Sequence, residues 1–114
     1  MSALDELRAE LRELVAEREW AQFHDPKNLA MLVASEAGEL LAEYRWVRGE
    51  ESDALSHDAA ARERIVAEVA DVGIGLVMLC ERIGVDFVEA MRVKVRRNAV
   101  KYPAEVARGK AERP

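Results

Sequence analysis

The sequence predicts an all-α fold, a bundle of about four helices, and three observations carry that expectation. Ala, Leu, Val and Glu dominate, and only three prolines interrupt 114 residues. Half of the residues are hydrophobic but only 5% are aromatic, which suits helices packed through aliphatic stripes. Apolar residues recur at i, i+3, i+4 and i+7 rather than in alternation. The length allows one core, so residues 1–103 read as a single domain and 104–114 as a polar C-terminal tail. So many apolar helical positions in so short a chain predict an oligomer that buries some of them between subunits.

The first helix is expected from Ala3 to about Trp20, after a Ser2 cap, with Leu4, Leu7, Leu11, Leu14 and Val15 as its apolar stripe. Asp25-Pro26 supplies the next start, a capping side chain followed by a ring that fits the first turn, and opens a helix to about Val47. Arg48 to Ser56 is polar, contains Gly49 and reads as a loop. A third helix is expected from about His57 to Ile83, closed by Gly84. Asp86 and Glu89 then form a cap and box for a fourth, which stops near Tyr102 because Pro103 follows.

Composition excludes several functions. A net charge of −5 argues against holding polymeric DNA or RNA by its backbone. The single cysteine, Cys80, lies in an apolar run, so an internal disulfide and a zinc finger are excluded and Cys80 reads as a small core residue. The uncharged run from Val72 to Cys80 is far short of the ~20 residues of a membrane helix. With no secretory signal before the first helix, a reducing cytoplasm is the expected location and no membrane partner is expected.

Two acidic pairs stand out: Glu36 and Glu39 in Ser35-Glu36-Ala37-Gly38-Glu39, and Glu68 and Asp71 in Glu68-Val69-Ala70-Asp71. Both have i,i+3 spacing, which stacks two acids on one helix face, where like charges repel. Glu36, Glu39 and Glu43 share a sector with Leu29, Leu32 and Val47, while Glu68 and Asp71 share one with Ile65, Val72 and Leu79. Four carboxylates leaning toward a core must take up protons or hold a cation, and hard oxygen donors suit Mg2+ or Mn2+. A ferritin-like di-iron centre would need Glu-x-x-His, and neither His24 nor His57 follows a Glu by three. On the fourth helix Lys94, Asn98 and Lys101 share a face and would present two cations and an amide to a polyphosphate.

Together these blocks resemble the MazG-type all-α nucleoside triphosphate pyrophosphohydrolases. The likeness rests on Glu36-x-x-Glu39, Glu68-x-x-Asp71, and Lys94, Asn98 and Lys101-Tyr102-Pro103. Phe23-His24-Asp25-Pro26-Lys27-Asn28-Leu29, Glu43-Tyr44-Arg45-Trp46 and Ala107-Arg108-Gly109 extend it to the dCTP pyrophosphatase branch, from about Glu19 to Gly109. The resemblance implies Mg2+-assisted hydrolysis of a nucleoside triphosphate, dCTP or a modified dCTP foremost, to monophosphate and pyrophosphate. It also implies a homotetramer, a dimer of dimers. By the same resemblance Glu36, Glu39, Glu68 and Asp71 match metal ligands. Lys94, Asn98, Lys101 and Tyr102 match phosphate contacts, and Trp20, His24, Asn28 and Trp46 match the nucleoside pocket. Phosphoanhydride hydrolysis needs an aligned water and charge neutralisation, and Glu36 or Glu39 is the expected proton acceptor.

One departure concerns Val72-Gly73-Ile74-Gly75, where dCTP-specific relatives carry larger side chains and an aromatic at the position of Gly75. Gly75 projects onto the Glu68/Asp71 sector and is expected to widen the base pocket. Two alternatives stay open: a broader dNTP or dUTP pyrophosphohydrolase on the same scaffold, and a non-catalytic helical interaction module, which would have no reason to hold acids beside its apolar stripes.

Overall fold

The computed structural model describes residues 1–111, and among them it contains only helices and turns. Six α-helices follow in order: α1 (Ala3–Glu17), α2 (Pro26–Ala42), α3 (Ser52–His57), α4 (Ala59–Ile83), α5 (Phe87–Lys101) and α6 (Ala104–Ala107). Two 3-10 turns, Trp20–Phe23 and Gly49–Glu51, precede α2 and α3. The chain divides into two compact units, Met1–Ile83 and Gly84–Pro114.

The helix starts follow from local chemistry. The Ser2 hydroxyl accepts from the Asp5 amide at 3.1 Å while the Asp5 carboxylate accepts from the Ser2 amide, a reciprocal box that satisfies two orphan donors of α1. Asp25 accepts from the Asn28 amide at 2.8 Å with Pro26 in the first turn of α2. Asp86 does the same for Glu89 at 3.0 Å on α5. Gly84, with φ of 73°, ends α4 in the left-handed region that glycine enters without strain.

In the first unit α2 lies along α4, the most extensive helix pair. Val33 meets Gly75, Glu36 meets Glu68 and Asp71, and Glu43 meets Arg64, so numbers rise on one helix as they fall on the other and the pair is antiparallel. Its core consists of Leu29, Ala61, Ile65 and Val77, with Leu29 only 1% exposed. Apolar side chains remain uncovered, among them Leu41, Val66 and Val69. The helix α1 is tied to α4 through Arg8, whose Nε donates to Glu81 at 2.8 Å.

Four expectations need correcting. The first helix ends at Glu17 rather than Trp20, because Glu19 takes a left-handed φ of 55° and starts a 3-10 turn. The second ends at Ala42 rather than Val47, and the chain turns there so that the Tyr44 and Ser56 hydroxyls meet at 2.7 Å. The loop expected over Arg48 to Ser56 is mostly helical, held by hydroxyl bonds from Ser52 to the Gly49 carbonyl and from Ser56 to the Ser52 carbonyl. His57 accordingly closes α3, its Nδ1 2.7 Å from the Asp53 carbonyl oxygen. Finally, the segment expected as a polar tail begins with α6, and its last three residues lie outside the described residues.

No described helix is long and apolar enough to cross a membrane. Cys80 is half-buried and burial pushes its thiol up, which suits a packing residue and not a thiolate nucleophile.

Candidate functional site

Side chains from the middle of α2 and α4 converge because both helices place acids one turn apart on their facing sides. One carboxylate oxygen from each of Glu36, Glu68 and Asp71 lies within 4.8 Å of the other two. Glu36 and Glu68 are half-buried and Asp71 is exposed, so the group opens to solvent on one side. Glu39 is exposed and stays outside this trio, although the sequence grouped all four.

The electrostatics record the crowding. Partial burial pushes the Glu68 carboxyl above its usual range, and the charges of Asp71, Glu36, Glu39 and Glu43 push it the same way. Of these five acids, only Glu43 finds a cation among the described residues, the Arg64 guanidinium at 3.2 Å. Among the described residues no side-chain cation pairs with the trio.

The donor set fits a hard divalent cation. Each of the three would offer one carboxylate oxygen to such an ion. Three carboxylates with no nitrogen or sulfur donor match the Mg2+ and Mn2+ class.

Seven residues from the trio along both helices lies a cleft of about 140 Å3 between α1, the Trp20–Phe23 turn, α2 and α4. Its walls are mostly apolar, from Leu11, Val15, Leu29, Val77 and Met78, while Arg8, Arg12, Glu81 and Arg82 supply charge and His24 enters from the turn. Hydrogen bonds from Arg12 and Arg8 hold the Glu81 carboxyl below its usual range.

The other expected nucleoside residues are scattered around this frame. Trp20 is 43% exposed under the Arg18 guanidinium, and Trp46 is 86% exposed beside Arg45, just beyond the end of α2. Asn28 is engaged locally: its amide donates to the Phe23 carbonyl at 3.0 Å and to Asp25 at 3.2 Å, bracing the start of α2. Gly75 is buried, and a Cβ there would sit 3.0 Å from the Val33 Cγ2 methyl. Its missing side chain makes room for α2, not for a base, which corrects the expected pocket widening.

In the second unit Lys94 and Lys101 are exposed on α5 and Asn98 is half-buried. The Lys101 ammonium lies 5.4 Å from the Tyr102 ring centre, and the Tyr102 amide closes the helix on the Asn98 carbonyl at 2.8 Å.

Sequence reasoning missed the Glu43–Arg64 pair and the Arg8–Glu81–Arg12 cluster. Arg8 and Arg12 share a face of α1 at i,i+4, but Glu81 stands 73 and 69 residues away, and no spacing rule announces such a partner.

Comparison with known proteins agrees with this geometry. The MazG-like family model matches residues 32–113, which spans both acidic pairs and the whole of α5. Over 108 residues the chain is 35% identical to dCTP pyrophosphatase 1 of Bos taurus, covering 95% of this chain and 64% of that protein. Over 110 residues it is 34% identical to dCTP pyrophosphatase 1 of Homo sapiens, covering 96% of this chain and 65% of that protein. The chain thus spans somewhat under two thirds of the length of these relatives. The crystal structure of a pyrophosphatase from Archaeoglobus fulgidus superposes with a TM-score of 0.81 at 35% identity, covering 90% of this chain and 94% of that one. The family match over the acid-bearing helices, together with the shared helical fold, shows that the chain belongs to the MazG-like family.

Proposed function

We propose that this protein is a nucleoside triphosphate pyrophosphohydrolase that cleaves dCTP, or a modified dCTP, to the monophosphate and pyrophosphate with Mg2+. The observation that carries the reading is the trio Glu36, Glu68 and Asp71 between α2 and α4, in a chain similar to proteins named dCTP pyrophosphatase 1. Those three carboxylates would hold the cation, and Mn2+ fits the same donors. When bound, the ion supplies positive charge against the phosphate oxygens and acidifies a water.

The chain's own residues do the rest. Glu39 is the assigned proton acceptor, because a carboxylate outside the ligand trio keeps its lone pairs for an attacking water. Lys94, Asn98, Lys101 and Tyr102 are the assigned phosphate contacts, on the resemblance of their motif, and two lysines suit a leaving pyrophosphate. The base is assigned to the cleft that His24 lines, and Trp20 and Trp46, which lie outside that cleft, are assigned to the nucleoside site on the resemblance of their motifs alone. A homotetramer is part of the proposal, supported by apolar side chains such as Leu41 that are 69% exposed in one chain.

Pyrophosphate release from the deoxynucleoside triphosphates and 5-substituted dCTP, with Mg2+ and with EDTA, tests this. Metal-dependent release led by dCTP is expected. Release without base preference would point to a broader dNTP enzyme, and no release from any substrate would leave a helical interaction module with its uncovered apolar face.

A further inference from the structure

The cleft between α1 and α4 has a polar pair at its edge that the hydrolysis reading does not use. The two oxygens of Glu81 accept two hydrogen bonds: Arg8 gives Nε at 2.8 Å to one, with its terminal nitrogen in ion-pair contact 2.7 Å from the same oxygen, and Arg12 gives Nε to the other. An ionised carboxylate has about four acceptor positions, so at least one remains. The terminal N–H groups of Arg12 make no hydrogen bond to another described residue. An acceptor and a donor, on side chains that touch each other, thus line a cleft whose other walls are mostly apolar, with Arg8, His24 and Arg82 the remaining polar residues.

Size and position limit what fits. At about 140 Å3 the cleft holds four or five water volumes, room for one six-membered ring with its substituents. Leu29 precedes Glu36 by seven residues on α2 and Met78 follows Asp71 by seven on α4, so along both helices the cleft lies roughly 10 Å from the acid trio. That is the order of separation between the base and the phosphates of one nucleotide.

We propose that Glu81 and Arg12 are specificity-determining residues that read the edge of an aminopyrimidine, an inference that rests on the pyrophosphohydrolase reading. Cytosine presents an amino donor beside a ring-nitrogen acceptor; the free Glu81 position accepts from the first and Arg12 donates to the second. Uracil and thymine reverse both groups and set a carbonyl oxygen against the carboxylate. Arg12 and Arg8 together hold Glu81 ionised, Arg8 keeps it in place, and the apolar walls remove water that would compete for the edge.

The test compares kcat/KM for dCTP, dUTP and the deoxynucleoside triphosphate of 2-pyrimidinone, which lacks the amino group, in the wild-type protein, E81Q and R12Q. Wild-type protein is expected to favour dCTP over both others by at least about tenfold, and each variant to bring the ratios within about threefold. Should E81Q fail to fold, R12Q carries the test, since it keeps the Arg8–Glu81 tether, and the 2-pyrimidinone comparison needs no variant. Equal wild-type rates on all three substrates overturn the inference, as does a dCTP preference that survives both substitutions or a uniform loss that leaves the ratios unmoved; in each case the pyrophosphohydrolase reading stands. No wild-type turnover of any substrate overturns that reading and this one with it.

Discussion

Replacing Gly75 by alanine probes the helix pair that carries the acids. An added Cβ would sit 3.0 Å from the Val33 Cγ2 methyl, with the Val33 backbone at 3.8 and 3.9 Å. Carbon atoms prefer about 3.5–4.0 Å, so α2 and α4 must part by several tenths of an ångström or Val33 must leave its rotamer. Such overpacking costs typically about 1–3 kcal/mol, against which alanine recovers about 1 kcal/mol of helix propensity. The net expectation for G75A is a loss of about 1 kcal/mol. Gly73, two residues earlier on the same helix, has nothing within 4 Å of its added Cβ, so G73A should gain about 1 kcal/mol. For a chain of this size each step moves Tm by about 4 °C, in opposite directions. Thermal melts at one fixed protein concentration, without metal, read both. Two stabilised variants would refute the close-packing account of Gly75 and reopen the idea that it leaves space for a ligand.

Three further outcomes are expected. E39Q should abolish turnover while circular dichroism shows the helices intact, because a carboxamide cannot take a proton from water; full activity would remove Glu39 from the chemistry. The raised Glu68 carboxyl sets the sign of a pH effect: the folded state binds that proton more tightly than the unfolded chain, so metal-free protein loses stability as pH rises from the ordinary carboxylate range through the raised one. E68Q should flatten that part of the Tm-against-pH curve, and the rise in Tm expected when Mg2+ is added to the wild-type protein should be lost in it. L29A, at the most buried core side chain, should cost about 2–5 kcal/mol by denaturant unfolding, and a loss under 1 kcal/mol would contradict the core assigned to the α2–α4 pair.

The features written in single residues or short spacings were legible in the sequence. Ser2, Asp25-Pro26, Gly84 and Asp86 mark helix ends where the structure has them, because a cap acts on amides within three residues. The facing of Glu36 with Glu68 and Asp71 was legible too, since helical periodicity put them beside the apolar sectors that pack. Periodicity could not show that Glu39 falls outside the trio, a matter of how two helices cross and not of where one helix points. The left-handed Glu19 was hidden for a different reason: most glutamates sit in ordinary helical geometry, and nothing in Glu17-Arg18-Glu19-Trp20 marks a stop. The segment from Arg48 to Ser56 looked like a loop because its helix is built from side-chain bonds of Ser52 and Ser56 rather than from an apolar stripe. Gly75 showed the limit most plainly. A glycine inside a helix signals either space or close approach, and only Val33 on the neighbouring helix decides between them.

Which phosphoanhydride bond is broken separates a pyrophosphohydrolase from a phosphatase. Phosphorus NMR of dCTP incubated with the protein and Mg2+ measures that directly, because the two possible cleavages leave different products. The account predicts the monophosphate and pyrophosphate in equal amounts, with no signal from free phosphate. The diphosphate with inorganic phosphate, or dCTP left intact, would contradict it.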